Sequence, residues 1–186
     1  MAETTRVDAL DEQAVAKHIG EVVEQVGSVD VSFNAISIPN VQLIPLVEIS
    51  REDFVSPIVT GTTSYLLTAR AAARRMVERG SGVILTLSAS AVRAYVPGVY
   101  MGGFGVACTA IEALTKQFAA ELGPRSIRAI CLRLEGFRRA GRVFRPRTLK
   151  TAGRRLFKTT KHFELRFCAF LRSGSPELRF DWIPAG

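Results

Sequence analysis

One stretch decides the fold class of this chain. Gly82–Leu122 opens with Val83-Ile84-Leu85-Thr86-Leu87, a short run of strand-forming residues. A hydroxyl segment, Ser88-Ala89-Ser90, follows, and then a glycine-rich turn at Gly102-Gly103-Phe104-Gly105. From Val106 to Leu122 the residues Ala107, Ile111, Leu114, Phe118 and Leu122 recur at helical spacing, and Gly123-Pro124 ends the helix. A strand, a small polar residue at its carboxyl end, a loop and a helix is how open α/β sheets present reactive groups.

The same alternation runs through the chain on either side. Val15, Ile19, Val22 and Val26 form one apolar stripe, which predicts a helix over 11–26 with Asp11 as N-cap and Gly27 as stop. Val29–Ile36 reads as a short strand, and Ser37–Leu46, with Pro39 and Pro45, as loop. Ser50-Arg-Glu-Asp53 has capping-box spacing and predicts a long helix to Arg79, halted by Gly80-Ser81-Gly82. Phe54, Ile58, Gly61, Tyr65, Ala69, Ala72 and Met76 trace one face of that helix, small enough for another helix to approach. Ser126–Leu134 reads as a further strand. The order α-β-α-β-α-β implies parallel strands joined by right-handed crossovers. The expectation is an α/β fold: a partial Rossmann-like parallel sheet with helices on both faces, plus a basic C-terminal tail.

Charge divides the chain at about Gly136. The net charge is +8, but residues 137–186 hold 13 Lys/Arg against three acids, so residues 1–136 are near neutral. The predicted organisation is a partial Rossmann-like domain over 1–136 and a basic tail over 137–186. That tail also holds seven of the 11 phenylalanines. Basic residues interleaved with aromatics can bind single-stranded nucleic acid, or hold a segment on an anionic membrane surface. A solvated tail without a partner is a second account, and a change of reading frame in a G+C-rich gene is a third. Phe163, Leu165, Phe167, Ala169 and Leu171 alternate, which allows a strand within His162–Leu171. No apolar run is long enough to span a membrane, and the N-terminus has no apolar signal core. Three scattered cysteines and two distant histidines predict reduced thiols, a cytoplasmic setting and no metal site.

Taken together, four pieces resemble the C-terminal half of a short-chain dehydrogenase/reductase, from about Val7 to Gly136. Val29-Asp-Val-Ser-Phe-Asn34-Ala35 resembles the family's strand ending in Asn-Asn-Ala-Gly. Ser64–Met76 resembles its long helix. Gly82-Val-Ile-Leu-Thr-Leu-Ser-Ala-Ser90 resembles the strand bearing the catalytic serine. Ala110–Pro124, followed by Ile127-Arg-Ala, resembles the helix and strand after it. The resemblance implies NAD or NADP as cofactor and oxidoreduction of a carbonyl or alcohol. It also implies a homodimer through the helices 50–79 and 106–122. Carried over position by position, it makes Ser88 or Ser90 the serine and places Asn34, Ala35 and Thr60 near the cofactor.

The departures from the family's pattern are specific. Its Tyr-x-x-x-Lys falls on Phe104 and Cys108. Phenylalanine has no proton to give and cysteine carries no fixed positive charge. Tyr100 lies four residues before Phe104, so it stands either as a displaced acid or as loop packing. Ser88 and Ser90 either polarise a carbonyl or bond to local backbone. Gly103-Phe-Gly105 either contacts a phosphate or makes a tight start to a helix. Cys108, near a helix N-terminus, is either an activated thiol or a small buried one. Only 28 residues precede the strand at Val29, and they read as helix, so the family's first β-α-β-α-β part is expected to be missing.

Overall fold

The structure, a computed structural model, describes residues 4–39, 41–89, 100–135 and 164–168. Helix α1 (Glu12–Val26) starts where Asp11 accepts hydrogen bonds from the N–H groups of Gln13 and Ala14, and it ends at Gly27 with φ of 85°. Strand β1 (Val31–Asn34) follows. Helix α2 (Arg51–Arg79) is capped by Ser50, whose hydroxyl oxygen accepts from the Asp53 N–H, and it stops at Gly80 with φ of 76°. Strand β2 (Gly82–Ala89) extends the predicted strand by two residues into the hydroxyl segment. Helix α3 runs Gly102–Leu122, so it begins four residues before the predicted start and takes in the glycine-rich segment. A short 3-10 turn (Gly123–Arg125) leads into β3 (Ile127–Glu135).

The four strands of the sheet lie in the order β1-β2-β3-β4, where β4 is Glu164–Cys168. β1 pairs parallel with β2, and β2 with β3, in the registers Asn34↔Thr86 and Ser88↔Arg133. β4 pairs antiparallel with β3, Cys131 standing opposite Cys168. It lies within the segment whose alternation allowed a strand. The rest of the basic stretch, with Arg138–Lys161, lies outside the described residues.

The α/β reading and the Rossmann-like parallel sheet hold. The described helices form one layer. Thr68 of α2 bonds to Asn34 of β1, and Glu112 of α3 bonds to Ser88 of β2. Asn34 is level with Thr86, and side chains two residues apart share a face, so both helices lie on the same side of the sheet. α1 packs against α2, where Arg70 pairs with Glu12. Strands taken in sequential order with crossovers of one hand put their connecting helices on one side. The expectation of helices on both faces is therefore met on one face among the described residues.

The core lies between this layer and the sheet. Tyr65, Ala69, Ala72 and Met76 of α2 and Ile111 of α3 close over Ile84, Ile127 and Ala129. Tyr65 and Phe118 meet edge to face at 5.9 Å. The small residues along α2 let α3 approach closely. On the opposite face Ile130 is buried, but Val31 and Phe33 on β1 are 56% and 55% exposed.

Candidate functional site

Ser88 is the natural starting point, because β2 delivers it to the carboxyl end of the sheet on the helix side. Its hydroxyl donates to Oε1 of Glu112 at 2.8 Å. Arg133 reaches the same carboxylate with both arms of its fork, Nε to Oε1 at 2.9 Å and Nη2 to Oε2 at 2.8 Å. Both charged side chains are almost wholly enclosed. A bidentate guanidinium–carboxylate pair is strong and directional. Here it joins α3 to β3, and Ser88 adds β2. The hydroxyl proton of Ser88 is therefore directed at a carboxylate.

Cys108 stands one helical turn before Glu112 and is buried. Burial pushes its thiol above the ordinary range, and the Glu112 carboxylate adds to that; a hydrogen bond from the Ala89 backbone opposes it. The outcome is a protonated thiol at neutral pH, the small buried alternative of the two offered by sequence. Phe104 is half-buried on the first turn of α3.

The glycine-rich segment has a packing role. A Cβ on Gly103 would lie 1.9 Å from the Phe54 carbonyl oxygen, so this is where the backbones of α2 and α3 come closest. Space beside Gly103 is filled by protein, which supplies a packing reason for glycine at that position.

The remaining sequence candidates are placed as follows. Asn34 is buried at the end of β1; its Oδ1 accepts from the Thr68 hydroxyl, and its Nδ2 donates to the Leu85 carbonyl at 3.5 Å. Ala35, just beyond it, is exposed, and Thr60 is half-buried on α2. Tyr100 precedes α3 with its side chain 41% exposed. Its carbonyl accepts from the N–H of Leu43, which has a left-handed φ of 69°. Ser90 lies outside the described residues. Ser88 and Cys108 are brought together, and Asn34 lies on the same face of the sheet; Tyr100 shares no described side-chain contact with them. Among the described residues no group of three or more His, Cys, Asp or Glu could hold a metal ion. No described helix is long and apolar enough to cross a membrane.

Glu112 and Arg133 were not candidates from sequence. Each breaks an apolar phase: Glu112 sits beside Ile111 on the buried side of α3, and Arg133 continues the inward series Ile127, Ala129, Cys131. A charge in such a phase is the one signal that could have marked them.

Comparison with known proteins agrees with this architecture. The family model for enoyl-(acyl carrier protein) reductase matches residues 1–133. The chain is 27% identical over 138 residues to dehydrogenase/reductase SDR family member 4 of Rattus norvegicus, covering 69% of this chain and 49% of that protein. It is 33% identical over 128 residues to 2,5-dichloro-2,5-cyclohexadiene-1,4-diol dehydrogenase of Sphingobium indicum, covering 68% of this chain and 50% of that protein. Among solved structures, NAD+-bound xylitol dehydrogenase superimposes with a TM-score of 0.64 at 25% identity, covering 70% of this chain and 49% of that one. The chain thus spans about half the length of the curated relatives it matches. Parallel sheet, helix pair and matched sequence together show that residues 1–133 belong to the short-chain dehydrogenase/reductase family.

Proposed function

We propose that this chain is a catalytically silent α/β module of its family, associating through α2 and α3 and not itself carrying out NAD(P)-linked oxidation or reduction. One observation carries the reading. The positions that match the family's tyrosine and lysine hold Phe104, without a transferable proton, and Cys108, a buried thiol kept protonated. The surroundings support it. Ser88 directs its proton to a carboxylate already paired with Arg133. Asn34 is engaged by Thr68 and Leu85.

A nicotinamide dinucleotide would supply or accept a hydride, and the described residues fit it poorly. The space beside Gly103 is taken by the Phe54 backbone. Ala35 has no polar side chain, and Thr60 is half-buried on α2.

The association half of the proposal draws on an exposed apolar stripe. Val55, Val59 and Leu66 follow one another at helical spacing on α2, and Val106 is exposed on the first turns of α3. Apolar residues in a row on a helix are the usual material of an interface.

The competing reading is an NAD(P)-linked oxidoreductase of a carbonyl or alcohol. Family membership favours it, and exposed Tyr100 is the phenol it would use. Titration of the protein with NADH and with NADPH, read by fluorescence and calorimetry, separates the two. The expected result is no saturable binding tighter than about 100 μM, which corresponds to about −5.5 kcal/mol. A tighter constant, or cofactor turnover with any alcohol or aldehyde panel member, overturns the proposal.

A further inference from the structure

One register sets two thiol-bearing residues side by side. In the antiparallel pairing of β3 with β4, Cys131 stands directly opposite Cys168. Directly opposed residues of such a pair have Cα atoms about 4.5 or 5.5 Å apart, according to whether they exchange hydrogen bonds. Both spacings lie inside the range of about 4.4–6.8 Å that a disulfide spans. Opposed residues also share a face of the sheet. Cys131 is level with Thr86 on β2, faces the helix layer and is 2% exposed. Cys108, the third cysteine, is carried by α3, and no strand register sets it level with either.

The pairing that holds β4 has a weakness. β4 is a five-residue strand with β3 as its one neighbour among the described residues. Two of its five rungs oppose like charges, Arg133 to Arg166 and Glu135 to Glu164. Like charges directly opposite are destabilising, although diagonal neighbours of opposite sign offset part of this. A short strand at the border of a sheet opens locally at less cost than the core. Opening of β4 bares the border of β3 and gives a small solute a route to Cys131.

We propose that Cys131 and Cys168 form a reversible disulfide, made by exchange with a low-molecular-weight disulfide of the glutathione class. The thiolate of one cysteine attacks a sulfur of that disulfide, the S–S bond breaks, and one small thiol leaves. The second cysteine, as thiolate, attacks the mixed disulfide and releases the second small thiol. The protein loses two electrons and two protons, and the small disulfide takes them up as two thiols. The new bond fixes β4 in register and fastens together the two ends of the basic stretch Arg138–Lys161. In a reducing medium the pair returns to thiols, the state expected from the sequence. This chemistry does not depend on catalytic silence, and its test reads sulfur rather than cofactor binding.

The test equilibrates the full, folded 186-residue chain in buffers of graded oxidised to reduced glutathione. Remaining thiols are alkylated, and the protein is digested with trypsin without reductant and read by mass spectrometry. The expected product is the peptide Ala129–Arg133 joined to Phe167–Arg172, lighter than their sum by two hydrogens, with Cys108 recovered as a thiol. Amide hydrogen exchange in β4 should slow about tenfold or more in the oxidised protein. Cys168→Ser should abolish both the link and the slowing with unchanged circular dichroism, and Cys108→Ser should leave both in place. The proposal is overturned by glutathione adducts without the link, by a link that uses Cys108 or joins two chains, or by a link that forms no faster in the folded chain than in urea.

Discussion

At position 103 an added Cβ would stand 1.9 Å from the Phe54 carbonyl oxygen, and a rigid helix backbone cannot move aside as a side chain can. Gly103→Ala is therefore expected to destabilise the fold by about 1–3 kcal/mol, the range for overpacking a tight contact. Gly20→Ala is the control: it lies within α1, and only the far end of the Arg75 side chain comes as near as 4.0 Å to its Cβ. That change should be neutral, or stabilising by about 0.4–1 kcal/mol. Urea unfolding of the two variants measures both. The buried charge pair gives a second contrast. Arg133→Met strips the Glu112 carboxylate of its bidentate partner and should cost roughly 3–5 kcal/mol, whereas Ser88→Ala removes one bond to a charged group and should cost about 1–3 kcal/mol. Equal losses in the two urea curves would mean that the pair does not anchor α3. These two charges illustrate what sequence periodicity conceals. Glu112 and Arg133 are 21 residues apart, and only the register of β3 beside β2 makes them neighbours.

Between elements, the decisive bond links α2 to α3. The Thr115 hydroxyl donates to the Ile111 carbonyl at 2.8 Å, which uses its single proton, so the Tyr65 hydroxyl is the donor in the 3.0 Å contact with Thr115. Burial is the main reason that the Tyr65 phenol is pushed up to about 12, and the nearby Cys131 adds to the rise; only a Thr115 hydroxyl turned to donate to the phenolate would pull the other way. The unfolded chain releases this proton near pH 10 and the folded chain near pH 12. The contribution is thus complete below about pH 10 and is lost as pH rises to about 12, amounting to roughly 2–3 kcal/mol. Denaturant titrations across that window should show a falling stability that Tyr65→Phe flattens. The element boundaries were legible where local chemistry sets them: Asp11 and Ser50 cap α1 and α2, and Gly27 and Gly80 close them. The start of α3 was not, because glycines at 102, 103 and 105 signal a turn by propensity. The close approach of α2 selects glycine at 103 for a tertiary reason that no local window contains.

For the molecule as a whole, the helix layer faces outward with an apolar stripe. If association uses α2 and α3, Leu66→Glu places a carboxylate within that stripe and should shift the protein toward monomer. Sedimentation equilibrium over a range of concentrations measures this, and an unchanged mass sinks the interface. The α/β class and three of the four strands followed from the alternation of apolar runs. β4 was visible only as an alternation within the basic stretch, and its antiparallel direction depends on backbone pairing to β3. The candidate site was legible in Phe104 and Cys108 because the resemblance to the family assigns its tyrosine and lysine to those positions. The partners of Ser88 were not legible, because they come from another helix and another strand.

The carboxylate at Glu112 limits which side chains its neighbour at position 108 can carry. Placing a tyrosine–lysine pair at the positions that the resemblance assigns takes Phe104→Tyr and Cys108→Lys. The new ammonium would arise at a position only 2% exposed, beside a carboxylate whose two oxygens already face one guanidinium. Two cations would then share one anion away from water, an arrangement costly for the fold. Stability would fall before any chemistry could be selected, unless Arg133 changed at the same time. The neighbourhood of Ser88 thus couples positions 108, 112 and 133, so that a cation at 108 needs a matching change at 133.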